Sequence, residues 1–183
     1  PSHAAYLPGA TIAGVVLAWM EDEQGIARPT WIIFNIGDAR VYLLRDDMLS
    51  QVTRDHSRVQ ILIETGELTP EQARRDPRRN VVTRALGGGI ADSAVPDLYS
   101  VPVAAGDRLL ICSDGLSDEL DDEAIATVLA AGYTAQRTAE LLVAASLEGG
   151  GHDNTTAVVV DSAETPALAP AVVPGDASTQ EVL

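Results

Sequence analysis

The chain contains no lysine. Its 12 basic residues are all arginine, set against 27 acidic ones, for a formal net charge of −15. That balance excludes nucleic acid as a bulk electrostatic partner, because phosphate backbones are gripped by basic surfaces. It does not exclude a phosphorylated substrate, since bound cations reverse the sign locally. There is a single cysteine, Cys112, inside an apolar run. This excludes a disulfide framework, fits a reducing compartment and points to a core residue with nothing nearby to activate it. Aromatic residues make up 4% of the chain, so its core has to be built from Val, Leu, Ile and Ala. No apolar run approaches the roughly 20 residues of a membrane span, and no charged, apolar and small-residue signal opens the chain. A cytoplasmic protein with no membrane span is the expectation. An initiating methionine is lacking as well: the chain opens Pro1-Ser2-His3, as a processed chain or one with sequence upstream would.

With 183 residues, one domain is the default. The apolar segments predict strands over Ala10 to Met20, Trp31 to Ile36, Ala39 to Arg45 and Leu49 to Val52, with a tight hairpin at Asp46-Asp47. Two capping boxes follow, Ser57-Arg58-Val59-Gln60 and Thr69-Pro70-Glu71-Gln72, each opening a short helix. The second helix is short and highly charged, so residues 57–80 read as a mobile surface flap. Seven of the arginines cluster around it: Arg54, Arg58, Arg74, Arg75, Arg78, Arg79 and Arg84. They are either a solvated face or a phosphate-reading surface, since guanidinium forks match phosphate oxygens. Val81 to Leu86, Tyr99 to Val103, Arg108 to Cys112 and Thr155 to Val160 read as further strands, with a Gly87-Gly88-Gly89 loop after the first. Asp121-Asp122-Glu123 and Thr134 open two more helices. Residues 162–183 are rich in Ala, Pro, Thr and Val and read as a disordered tail or linker. Strands in hairpin order, a helix pair and a returning strand describe an α+β architecture, and strands apolar on both sides need cover on both faces.

Four aspartates sit where apolar strands begin or end: Asp38, Asp114, Asp118 and Asp153. If residues 114–118 make a helical turn, Asp114 and Asp118 share one face at i,i+4. The candidate ligands are all oxygen, and no Cys or His pair stands at chelating spacing, which disfavours zinc and favours Mg²⁺ or Mn²⁺. Each aspartate also has a plainer reading. Asp38 suits a turn, Asp118 a helix cap, and Asp153-Asn154 an Asx-turn. Asp114 is hardest to explain that way, because a carboxylate directly after Leu109-Leu110-Ile111-Cys112 needs a partner. His56 and His152 read as hydrogen-bonded turn residues rather than ligands.

Six segments in order resemble the metal-dependent Ser/Thr protein phosphatases, the PPM or type 2C family, in their bacterial form. They are Gly9-Ala10-Thr11, Ile36-Gly37-Asp38-Ala39-Arg40-Val41-Tyr42, Thr53-Arg54-Asp55-His56-Ser57, Asn80 to Gly87, Gly106 to Asp118, and Gly151-His152-Asp153-Asn154-Thr155-Thr156. Each is weak alone; six in order are specific. The resemblance implies an α+β fold, an antiparallel β-sandwich flanked by α-helices in αββα layers. It also implies a dinuclear Mg²⁺ or Mn²⁺ centre with a weaker third site. By position Asp114 and Asp153 match ligands of the pair, while Asp38 and Asp118, with Asp114, match the third site. Asn154 and Gly115 match neighbours of the cluster. Arg58, Arg74, Arg75, Arg78 and Arg79 fall on the flap that meets protein substrates.

Members of this family carry the rest of the site nearer their N-terminus: an acidic residue, a bridging Asp-Gly, a phosphate-binding Arg and a general-acid His. No such set precedes Gly37 here; Glu21, Asp22 and Glu23 follow the first strand rather than precede it. Residues 1–161 are therefore expected to be the C-terminal two-thirds of a phosphatase domain, incomplete at its N-terminus and inactive alone, with catalytic residues expected upstream of Pro1. The function implied for the full-length protein is hydrolysis of phosphoserine and phosphothreonine in phosphorylated proteins by a metal-activated water, by a monomer. The alternatives are an inactive phosphatase-fold regulatory module and an acidic domain whose aspartates are only turns.

Overall fold

The structure, a computed structural model, describes residues 7–88 and 95–162. Its strands are β1 (Gly9–Ala10), β2 (Ile12–Glu21), β3 (Ala27–Ile36), β4 (Arg40–Arg45), β5 (Met48–Gln51), β6 (Leu86–Gly87), β7 (Asp97–Pro102), β8 (Arg108–Cys112) and β9 (Ala157–Asp161). Its helices are α1 (Arg58–Glu64), α2 (Pro70–Ala73), α3 (Asp114–Ser117), α4 (Asp122–Ala130) and α5 (Ala135–Gly149). The strands form two antiparallel sheets, ordered β2-β3-β7 and β5-β4-β8-β9, and β1 pairs with β6.

β4 shows why its sequence is apolar on both sides. Val41 and Leu43 point into the space between the sheets with Trp31, Ile33, Val103 and Leu109. Tyr42 and Leu44 point the other way, into a second core with Leu110, Cys112, Leu116, Ile125, Leu129 and Leu142. Successive strand residues alternate faces, so a strand between two layers has no polar side. The second core lies between the four-stranded sheet and α3, α4 and α5. These are three of the four expected layers, arranged sheet, sheet, helix. On the outer face of the three-stranded sheet Val16 and Leu98 are exposed, and the free edge of β2 takes no partner among the described residues.

The Asp46-Asp47 turn is a hairpin with both residues at positive φ, 50° and 60°, as the twist of β4 and β5 requires. The Thr69 capping box forms in full, while the Ser57 box forms by half: Ser57 Oγ accepts from the Gln60 amide at 3.2 Å, but the Gln60 side chain donates to Glu64. Val81 to Leu86 is not a strand. Apart from one bridge, Ser57 to Val82, and the two residues of β6, it runs as irregular chain. Burial pushes the Cys112 thiol up to about 12, in keeping with a packing role. Ser162 N donates to Asp107 O and Ser162 O accepts from Gly106 N, both at 2.8 Å. The remainder of the expected tail, Gly89 and Pro1-Ser2-His3 lie outside the described residues.

Candidate metal centre

Three of the four candidate carboxylates meet at one end of the sandwich. Asp38 leaves β3 through Gly37, whose φ of +103° suits glycine and whose missing Cβ would stand 2.3 Å from Thr11 Cγ2. Asp114 opens α3 and Asp118 ends it, the i,i+4 arrangement expected from their spacing. Asp38, Asp114, Asp118 and Asp122 line a cavity of ≈300 Å³. Its opposite wall is the flap, with Ile63, Ala73, Arg74 and Arg79 facing inward.

These carboxylates strain against one another. Asp38 is buried, and burial, reinforced by the charges of Asp114, Asp55 and Asp118, pushes its carboxyl up to about 6. Asp118 is raised by partial burial and by Asp114, and is held back by Arg40, Arg79 and Arg74.

Asp153 and Asn154 are exposed and are not among the residues lining the cavity. Their loop is nevertheless bound to the start of α3. A Cβ on Gly115 would stand 2.5 Å from Asn154 O, so the two backbones approach as only glycine allows. Ser113 Oγ donates to Asn154 O (3.2 Å) and accepts from Thr156 N (3.0 Å). Gly115 O accepts from Ser146 Oγ (3.0 Å) and Thr155 Oγ1 (3.2 Å). Sequence reading misses this role of Ser146; the signal is a hydroxyl at a buried position of α5.

The flap arginines divide. Arg74 donates to Ser117 O at 3.3 Å, and Arg79 stands 4.0 Å from Asp118. Arg78 turns back onto Asp76 at 2.8 Å, while Arg58 and Arg75 are exposed and do not line the cavity.

The donor set is all oxygen, which suits a hard cation. Among the described residues no three Asp, Glu, His or Cys side chains converge to cage an ion by themselves. The carboxylates present fit one wall of such a site, since a cation would relieve the repulsion that raises Asp38. A pH test follows. An aspartate whose folded pKa is raised binds its proton more tightly in the folded state. Its contribution is full below the unfolded pKa near 4 and is lost as pH rises through about 6. In chelator, Asp38→Asn is expected to match the parent at pH 4 and to exceed its stability at pH 7.5 by up to ~3 kcal/mol, read from urea unfolding. Identical pH profiles would refute the repulsion.

Fold and cleft together define an α+β sandwich with an acidic cleft beneath an arginine-bearing flap. The sequence profile of the protein phosphatase 2C family matches residues 5–161, and the chain belongs to that family. The chain is 45% identical over 129 residues to the serine/threonine protein phosphatase PstP of Mycobacterium tuberculosis, covering 70% of this chain and 24% of PstP. It is 36% identical over 136 residues to the serine/threonine phosphatase stp of Listeria innocua, covering 74% of this chain and 53% of that one. Among solved structures, the PstP catalytic domain in complex with two manganese ions superposes with a TM-score of 0.68 at 38% identity, covering 84% of this chain and 58% of that one. The chain thus spans about a quarter to a half of the curated relatives it matches.

Proposed function

We propose that this chain forms part of a metal-dependent protein Ser/Thr phosphatase that removes phosphate from phosphoserine and phosphothreonine. The observation that carries this reading is the acidic cleft, a cavity lined by Asp38, Asp114, Asp118 and Asp122, in which burial first and then the charge of Asp114 raise Asp38. Carboxylates brought together at such an electrostatic cost are explained by a cation. Family membership and the two manganese ions of the PstP domain support Mn²⁺ or Mg²⁺ as that cation. Asp38, Asp114 and Asp118 would hold it from the cleft, with Asp153 contributing from the adjoining loop. When bound, such ions act as Lewis acids toward phosphoryl oxygens and lower the pKa of a coordinated water.

The chain's own residues would orient the substrate. Arg74 and Arg79 place positive charge on the flap wall, where a phosphorylated peptide has to pass. The bonds of Ser113 to Asn154 and of Thr155 to Gly115 hold Asp114 and the Asp153 loop in fixed relation. A cytoplasmic monomer acting on phosphorylated proteins fits this reading. Among the described residues no helix is long and apolar enough to cross a membrane.

The test is release of phosphate from a phosphothreonyl peptide by the protein carrying this chain. Release is expected with Mn²⁺ and none in chelator. One observation favours a second reading, a phosphatase-fold module that binds partners without turnover: no ready-made ion cage is present among the described residues. Absence of Mn²⁺-dependent release would favour that second reading and overturn the first.

A further inference from the structure

Between the sheet and the flap lies His56, 2% exposed, and both of its ring nitrogens are engaged. Nδ1 accepts the backbone N–H of Gly37 at 3.0 Å. A backbone amide can only donate, so Nδ1 carries the lone pair and the proton sits on Nε2. Nε2 then donates to Asp97 Oδ2 at 3.0 Å. Asp97, in turn, is gripped through its other oxygen by Arg84. The backbone closes the same clamp from the opposite side: His56 N donates to Gly37 O at 2.8 Å. Asn35, fully buried, donates to the same carbonyl at 3.3 Å. The peptide groups flanking Gly37 are thus held on both the N–H and the C=O side, while Thr11 fills the space beneath its α-carbon.

The next residue is Asp38. A carboxylate buried beside other carboxylates tends to swing away from them unless its backbone is fixed. We infer that His56, as the Nε2–H tautomer, is a positioning residue that holds Asp38 in the acidic cleft by clamping Gly37, with Asp97 and Arg84 holding the ring. No motif announced this role, since the sequence reads His56 only as a turn residue. The inference rests on the reading of the cleft as a cation site.

The experiment uses the protein carrying this chain and Mn²⁺ alone, with free ion followed by its electron paramagnetic resonance signal. His56→Leu keeps the burial and removes the acceptor; it is expected to weaken Mn²⁺ binding about tenfold, in the range seen when a ligand's supporting partner is removed. His56→Asn places an amide oxygen near the position of Nδ1 and is expected to stay within about threefold of the parent. His56→Gln keeps a donor for Asp97 but no acceptor for Gly37. It is expected to behave as Leu does, and it serves if the Leu variant fails to fold. In the Asp38→Asn background, His56→Gln should add no further loss, because the ligand it positions is already gone; a merely structural role would weaken both backgrounds alike. If the unaltered protein takes up no Mn²⁺, the cation-site reading fails. If it takes up Mn²⁺ and His56→Gln binds as the parent does, or weakens both backgrounds equally, the positioning role alone fails.

Discussion

Asp114→Asn is expected to reduce Mn²⁺-dependent phosphate release by more than about 100-fold while leaving the fold intact. The two halves of that expectation come from separate contacts. In the fold, Asp114 Oδ1 accepts the N–H of Gly115 at 2.9 Å, a bond an amide oxygen makes equally well. Leu116 and Ser117 behind it are buried by their neighbours rather than by this carboxylate. In the cleft, what is lost is the charge. Asp114 is the carboxylate that both Asp38 and Asp118 feel most strongly among their neighbours. Removing the partner that merely orients a ligand already costs 10–100-fold, so removal of a ligand's own charge lies beyond that range. In chelator at neutral pH the variant should melt no lower than the parent, as the Asp38 carboxyl relaxes downward. A rate within tenfold of the parent, measured with a phosphothreonyl peptide at saturating Mn²⁺, would remove Asp114 from the site.

Most of the sandwich could be read from the chain because its signals are local. Apolar runs bounded by Gly and Asp mark β2, β4 and β8, and the Asp46-Asp47 turn sits between alternating strands. What could not be read depends on competing local partners or on partners far along the chain. Gln60 looks like the reciprocal half of a capping box, but its side chain is taken by Glu64, which itself pairs with Arg54. Val81 to Leu86 has strand-forming residues, yet its hydrogen bonds go to the flap entry: Arg58 N to Val81 O and Thr83 N to His56 O. The carboxylates themselves were legible as residues out of place. Asp114 was conspicuous because an acid directly after an apolar strand needs a reason, and its cluster with Asp38 supplies one. The hydroxyls of Ser113, Ser146 and Thr155 were not legible, since small polar residues are common and only the tertiary contact with Gly115 and Asn154 gives them work.

The largest stability effect is expected in the wall of the cleft itself, at Arg40 and Asp55. Arg40 meets Asp55 fork to fork, Nε to Oδ1 at 2.9 Å and Nη2 to Oδ2 at 2.6 Å, with side chains 21% and 6% exposed. Tyr42 accepts from Arg40 at 2.9 Å, and Gln51 donates to Asp55 at 2.9 Å. Burial alone would push the Arg40 guanidinium down; Asp55 more than offsets it, so the guanidinium stays charged. Breaking a buried pair by removing one partner strands the other charge, which costs about 3–5 kcal/mol. Arg40→Met and Asp55→Leu are each expected to lose that much in urea unfolding, and the double variant is expected to recover most of it, because two apolar side chains leave no stranded charge. Losses that simply add would show that the pair is not coupled. The recovered protein separates stability from function. Arg40 also restrains the rise of Asp118, so its loss leaves the cleft more acidic. The double variant should therefore fold as the parent does yet hold Asp118 protonated to higher pH, while loss of the Asp55 charge lets the Asp38 carboxyl relax downward.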